Sequence, residues 1–152
     1  MGNTLNADFT EFIEALNKAE VEYILVGGYA VIFHGYNRTT GDLDIWVNPS
    51  PDNYQRLKKA FAHFGMSLFD MTEEKFMKTD NYDVFTFGRP PVCIEILTAV
   101  KGLEFGSAYK NSSLQNFDDV SVRMIDIRDL ILAKKSVNRS KDKDDIEHLD
   151  IE

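Results

Sequence analysis

The stretch Tyr23 to Val47, YILVGGYAVIFHGYNRTTGDLDIWV, constrains the fold of this chain more than any other. Tyr23–Val26 is a short, nearly continuous apolar run, the pattern of a strand buried on both faces. Gly27 and Gly28 end it. Tyr29–His34 then fits a short helix, with Gly35 where a helix commonly stops. A polar loop carrying Arg38, Thr39 and Thr40 leads into Asp42–Val47, which alternates. Leu43, Ile45 and Val47 point one way, and Asp42, Asp44 and Trp46 point the other. An all-helical or all-β chain has no use for strand, double glycine, helix, loop and strand in that order.

The flanking sequence extends a mixed architecture. Residues 9–19 predict an amphipathic helix with Phe9, Phe12, Ile13 and Leu16 on one stripe, and Asp8 with Glu11 has capping-box spacing. Pro51–Phe64 is the clearest helix, with Ser50 as N-cap, Pro51 in the first position and Gly65 at the exit. A helical turn is expected at 72–77. Strands are expected at Tyr82–Phe87 and Val92–Leu97, joined as a hairpin by a loop longer than two residues. Residues 101–117 read as a helical turn or two with loop, Val120–Ile125 as a strand, and Asp126 or Ile127 through Lys134 as a helix. A charged helix covers about Ser140 to Leu149. The expectation is a single α+β domain over residues 1–152, with helices packed on a mixed central sheet.

The carboxylates Asp42 and Asp44 carry the first chemical signal. Alternate strand residues project from one face, and two like charges about 4–6 Å apart repel by a few kcal/mol at an effective dielectric of about 20. Either one stays protonated or cations neutralise both. Mg²⁺ takes one or two carboxylates and completes its shell with water and substrate phosphates. Taken alone, an Asp-x-Asp is more often an exposed strand edge. Glycines between a strand and a helix let backbone N–H groups approach a phosphate, although alone they equally make an ordinary tight turn. The two features together point to a metal–nucleotide site.

Bulk properties set limits. The 152 residues carry a net charge of −8, which disfavours non-specific nucleic-acid binding. The longest apolar runs are far too short to cross a bilayer, so no membrane association is expected. The N-terminal MGNTLNADF has no signal-peptide character, and Asn6 stands where a myristoylation motif at Gly2 requires Ser or Thr. The single Cys93 fits a reducing cytoplasm.

Gly27-Gly28, followed by Asp42-Leu43-Asp44-Ile45, resembles the signature of the DNA polymerase β-like nucleotidyltransferase superfamily. The run GGYAVIFHGYNRTTGDLDI is similar to small bacterial and archaeal members, including the abortive-infection toxin type. The resemblance implies an enzyme that moves an NMP, with AMP from ATP expected, to a hydroxyl acceptor and releases pyrophosphate. Mg²⁺, or Mn²⁺, would be held by Asp42, Asp44 and a third carboxylate. Glu95 is the candidate for that role, and Asp83 competes one strand earlier. A charge on so apolar a strand is costly unless paired, so a salt bridge to Arg89, Lys101 or Arg123 is the structural alternative. Gly27 and Gly28 would cradle phosphates, and Arg38 and Thr39 would hold the triphosphate or its loop. Arg38 could equally pair with Asp42 or another acid.

From the cluster Lys134, Lys135, Arg139, Lys141 and Lys143, Lys134 or Arg139 would face the phosphates by the same analogy, and the rest would form a solvated, self-paired surface. His34, Trp46, Tyr29 and Cys93 read as packing residues. The acceptor, whether a small molecule, a protein or an RNA 3′ end, would be met by loops at 66–80 and 101–117 or by a helical partner protein. The rival readings are a non-catalytic nucleotide-binding or toxin–antitoxin regulatory protein of the same fold, and a metal-dependent phosphohydrolase or nuclease.

Overall fold

Six strands form one mixed sheet in the order β3-β4-β2-β1-β6-β5. They are β1 (Tyr23–Val26), β2 (Asp42–Val47), β3 (Val84–Arg89), β4 (Val92–Leu97), β5 (Ser113–Phe117) and β6 (Val120–Met124). The computed structural model describes residues 7–149 apart from Asn37, Pro90, Pro91 and Asn138. Gly2 and Asn6 lie outside the described residues, as does the side chain of Arg89. The helices are α1 (Ala7–Lys18), α2 (Gly27–Phe33), α3 (Pro51–Phe64), α4 (Glu73–Met77), α5 (Phe105–Asn111), α6 (Ile127–Val137) and α7 (Ser140–Leu149).

β1 and β2 lie in the middle of the sheet. They pair antiparallel, while β2 pairs parallel with β4 and β1 parallel with β6. Antiparallel β3 and β5 close the two edges. The register fixes which residues share a face. Leu43 opposes Ile94, and Ile94 opposes Phe87. Phe87 meets Phe61 of α3 at 4.9 Å between ring centroids, so α3 covers that face. Phe12 of α1 packs edge-on against Phe61 and Phe64, which locks the two helices together over the same core. The opposite face of β2 is the one that presents Asp42 and Asp44.

Local signals explain the clearest helix. Ser50 Oγ accepts from the Asn53 N–H at 3.1 Å, Pro51 fills the first turn, and Gly65 ends α3 at φ +88°. The buried Asn53 then clips the start of β1 to this helix. Its Oδ1 accepts from the Glu22 N–H, and its Nδ2 donates to the carbonyls of Glu22 and Asn48. An amide with every group satisfied sits in the interior at little cost.

Several expectations shift. Asp8 lies within the helical residues of α1 and not ahead of them as a cap would. α2 starts at Gly27, two residues earlier than the apolar pattern suggests, because the glycines themselves take up the first turn. The β3–β4 pairing runs out to Arg89 opposite Val92, which makes the hairpin tighter than expected. The largest miss is β5, placed in the span read as helical turn and loop. This edge strand exposes all but Phe117, so it carries no burial alternation for a sequence reading to detect.

No described helix is long and apolar enough to cross a membrane.

Candidate active site

Parallel pairing of β2 with β4 sets Asp44 directly opposite Glu95, and Asp42 opposite Cys93. Residues paired in register share a face, so the three carboxylates of two neighbouring strands converge on one side of the sheet. Gly27, at the end of β1, closes over them. Its φ of +72° belongs to the left-handed region, and a Cβ there would fall 2.9 Å from Asp44 Cβ and would overlap the Asp44 carboxylate. Gly28 is required for a different reason, since a Cβ on it would collide with the Thr40 side chain. The double glycine is therefore what allows α2 to start directly beside the acidic residues.

The carboxylates border an open cavity of about 370 Å³ with three kinds of wall. Asp42, Asp44 and Glu95 form the acidic one. Lys134 of α6 and Arg139, Lys141 and Asp142 around the start of α7 form the second. Leu97, Val100, Ile125, Leu130 and Val137 supply an apolar side.

Crowding of like charges has its expected electrostatic result. Burial, a hydrogen bond with Glu95, and the charges of Glu95 and Asp42 raise the Asp44 carboxyl to about 8, with Lys141 opposing them. Asp44 Oδ1 is buried with no hydrogen-bond partner. Among the described residues no three His, Cys, Asp or Glu side chains stand ready as a metal-binding set. The donors do fit a hard divalent cation: they are all carboxylate oxygens, and one of them is orphaned in the interior. Asp42, Asp44 and Glu95 are the side chains that would hold it.

The second wall is organised by opposite charges. Arg38 makes a two-pronged contact with Asp145, Nε to Oδ1 at 2.8 Å and a terminal nitrogen to Oδ2 at 3.1 Å. Lys134 Nζ lies 2.9 Å from Asp145 and 3.4 Å from Asp142. Arg139 donates to Asp142 through Nε at 2.8 Å, a terminal nitrogen at 3.2 Å and its own backbone N–H. Both aspartates are 1% exposed. Burial alone would raise the Asp142 carboxyl, but the Arg139 bonds and the Lys134 charge outweigh it and hold it at about 2.

The sequence candidates thus separate. Asp42, Asp44, Glu95, Gly27 and Lys134 meet at the cavity. Gly28 packs on Thr40, and Arg38 is engaged by Asp145 and by the Thr39 carbonyl. Asp83 is exposed just ahead of the edge strand β3 and does not border the cavity. The guanidinium of Arg123 lies 4.9 Å from the Tyr109 ring centre, so it is occupied elsewhere than at Glu95. His34 Nε2 bonds the Ile125 carbonyl at 2.8 Å, and Trp46 packs edge-on against Phe105, both as packing residues. Sequence reasoning read Lys141, with the interleaved Asp142 and Asp145, as part of a solvated, self-paired surface, whereas Asp142 and Asp145 are buried. The signal was present: Asp142, Asp145 and Leu149 fall on one stripe of α7, and an acid on an apolar stripe implies a buried cation beside it.

No family model matches the chain, and no curated protein matches it. Solved structures do. A protein assigned as a nucleotidyltransferase, from Thermotoga maritima, superposes with a TM-score of 0.59 at 10% identity, over 91% of this chain and 88% of its own. The lincosamide antibiotic adenylyltransferase LnuA, solved with lincomycin bound, superposes with a TM-score of 0.55 at 14% identity, over 97% of each chain. The molecule is a small α+β protein with the nucleotidyltransferase fold.

Proposed function

We propose that this chain is a nucleotidyltransferase that moves an NMP, AMP from ATP in the simplest case, onto an acceptor hydroxyl with release of pyrophosphate. The observation that carries the reading is the register pairing of Asp44 with Glu95 beside Gly27, which leaves a buried carboxylate oxygen unpartnered at the cavity. The fold it shares with LnuA, an adenylyltransferase, supports the same class of reaction.

Asp42, Asp44 and Glu95 would hold Mg²⁺ or Mn²⁺, whose chemistry in such a place is neutralisation of phosphate charge during in-line displacement. The protein's own part is positional and electrostatic. Gly27 and Gly28 bring the first turn of α2, which has no side-chain cap, within reach of phosphate oxygens. Glu95, facing the cavity next to Asp44, would accept the proton of the attacking hydroxyl. Arg38 would act from a distance, by holding Asp145 against Lys134. The apolar wall suits the flat face of a nucleobase.

The acceptor would approach past Val100, which borders the cavity and leads into residues 101–117. A reducing cytoplasm remains the expected setting, given the one buried thiol of Cys93.

The test is incubation with α-labelled ATP, Mg²⁺ and pools of protein, RNA and small-molecule acceptors. Label transfer that is abolished by Asp44→Ala is expected. Absence of both transfer and nucleotide binding in the wild type would overturn the reading.

A further inference from the structure

We propose that the outer edge of β3 takes up a basic polypeptide segment in extended form, which pairs with it as an added strand of the sheet. The inference stands apart from the nucleotidyl-transfer reading, since none of Phe69, Tyr82, Val84 and Thr86, which carry it, borders the cavity. β3 has β4 on one side and no strand on the other among the described residues. Its outward N–H and C=O groups are open to another backbone at strand spacing. Edge strands are commonly blunted by charges or proline, yet residues 84–88 contain neither. Val84 and Thr86, on the face shared with Leu97 and Glu95, are exposed.

Aromatic side chains stand beside this edge. Phe69, in the loop between α3 and α4, is 72% exposed, and its ring lies 6.3 Å from that of Phe87. Its backbone is held at φ +48°, a left-handed conformation that a Cβ disfavours, and its N–H donates to Ser67 Oγ at 3.1 Å. The strained turn gains no burial for the ring; what it does is present the ring beside the strand. Tyr82 is exposed as well, its ring 6.4 Å from that of Phe85. Phe85 and Phe87 belong to the α3 face, so Phe69 and Tyr82 flank that face and would meet every second side chain of an added strand.

Charge selects the partner. Asp70 follows Phe69, and Asp80 and Asp83 bracket Tyr82; all three are exposed and enter no ion pair among the described residues. Two cations of the same segment are engaged. Lys75 Nζ lies 5.5 Å from the centre of the Tyr82 ring, and Lys78 pairs with Glu74 at 3.2 Å. An apolar centre with an acidic rim matches a strand in which apolar residues alternate with lysine or arginine. It repels nucleic acid, and a second copy would bring the same acids and the same net charge of −8.

Fluorescence anisotropy tests this with three labelled probes: a short peptide of alternating Val and Lys, one of alternating Val and Glu, and a single-stranded RNA. The Val–Lys peptide should bind the wild type, and neither of the others should. Its affinity should fall about tenfold in Phe69→Gly and in Thr86→Lys, which puts a charge on the edge. It should be unchanged in Leu114→Lys, at an exposed position of the opposite edge strand β5. Phe69→Gly should melt within about 2 °C of the wild type, because relief of the left-handed backbone offsets the extra chain entropy of glycine. A larger fall would make Phe69 a folding residue and overturn the reading. So would absence of Val–Lys binding, equal binding of the Val–Glu peptide or the RNA, or affinity that survives both variants or drops equally in Leu114→Lys. Sedimentation of the wild type as a dimer that Thr86→Lys dissociates would assign the edge to a second copy and overturn the basic partner.

Discussion

Two groups of acids border the same cavity and are treated in opposite ways. On the sheet, Asp42, Asp44 and Glu95 are brought together with no ion-pair partner among the described residues, and Asp44 is pushed up to about 8. On α7, Asp142 and Asp145 are more deeply buried, yet Arg38, Lys134 and Arg139 surround them, and Asp142 is held at about 2. Burial opposes the charge in both places; what differs is whether the fold supplies a cation. The helix group is complete and therefore structural. The sheet group has no such partner among the described residues, and the cation proposed above would supply it.

The most forceful way to break this contrast is to remove the uncompensated acid. Asp44→Ala is expected to lower nucleotidyl transfer on the order of a thousandfold, as loss of several kcal/mol of transition-state stabilisation requires. Asp44→Asn should do the same while changing the pH dependence of folding. A carboxyl near 8 in the folded chain and at its ordinary 3.8 when unfolded makes the folded state bind more protons between those values. Stability without metal must then fall as pH rises from about 4 to about 8. Urea denaturation across that range should show this decline in the wild type and a flatter profile in Asp44→Asn. Mg²⁺ should raise the wild-type melting temperature more at pH 8 than at pH 5, because at the lower pH it must displace the proton. Equal effects at both would remove the sheet group from consideration as a cation site.

The compensated group predicts the reverse pattern: a variant that damages folding first. Asp145→Ala leaves Arg38 and Lys134 without their shared partner and should destabilise the protein by about 3 kcal/mol. The loss should be visible in denaturation with or without nucleotide. Asp142 adds an acid limb. Its depressed carboxyl contributes stability that is fully present above the ordinary value of 3.8 and is lost as pH falls through about 2. Acid unfolding of Asp142→Asn should therefore show a shallower pH dependence over that interval. A melting temperature unchanged in Asp145→Ala would make the helix group an ordinary surface network and end the comparison.

How much of this was legible in the sequence follows the same division. β2 and α3 were readable to the residue, because Asp42–Val47 alternates and Ser50, Pro51 and Gly65 mark both ends of a helix with local chemistry. The sheet carboxylates were legible for the same reason: strand periodicity places Asp42 and Asp44 on one face. That Glu95 stands opposite Asp44 is a matter of register between strands separated by some fifty residues, and no local pattern carries it. The pairings of Arg38 with Asp145 and of Lys134 with Asp142 are likewise tertiary. Within KSVNRSKDKDDIEHL the charges look like a solvated, self-paired surface, and only the burial of α7 against α6 shows that two of its acids face inward. β5 was missed because an exposed edge strand has nothing to alternate against.

The finest test lies where the backbone meets the sheet acids. Gly27 and Gly28 look equivalent in sequence, but their surroundings are not. Gly27→Ala places a methyl group in the left-handed region, at a cost of about 1–2 kcal/mol, and directs it into the Asp44 carboxylate. Gly28→Ala collides instead with Thr40, which belongs to the loop before β2. If the glycines serve the acidic wall, Gly27→Ala should lose activity well beyond its change in stability, because Asp44 must rotate away from Glu95. Gly28→Ala should lose the two in proportion. Parallel measurement of kcat and denaturation midpoint in both variants separates these outcomes. Proportional losses at Gly27 would mean that the turn is needed only to start α2, and that the acids tolerate displacement.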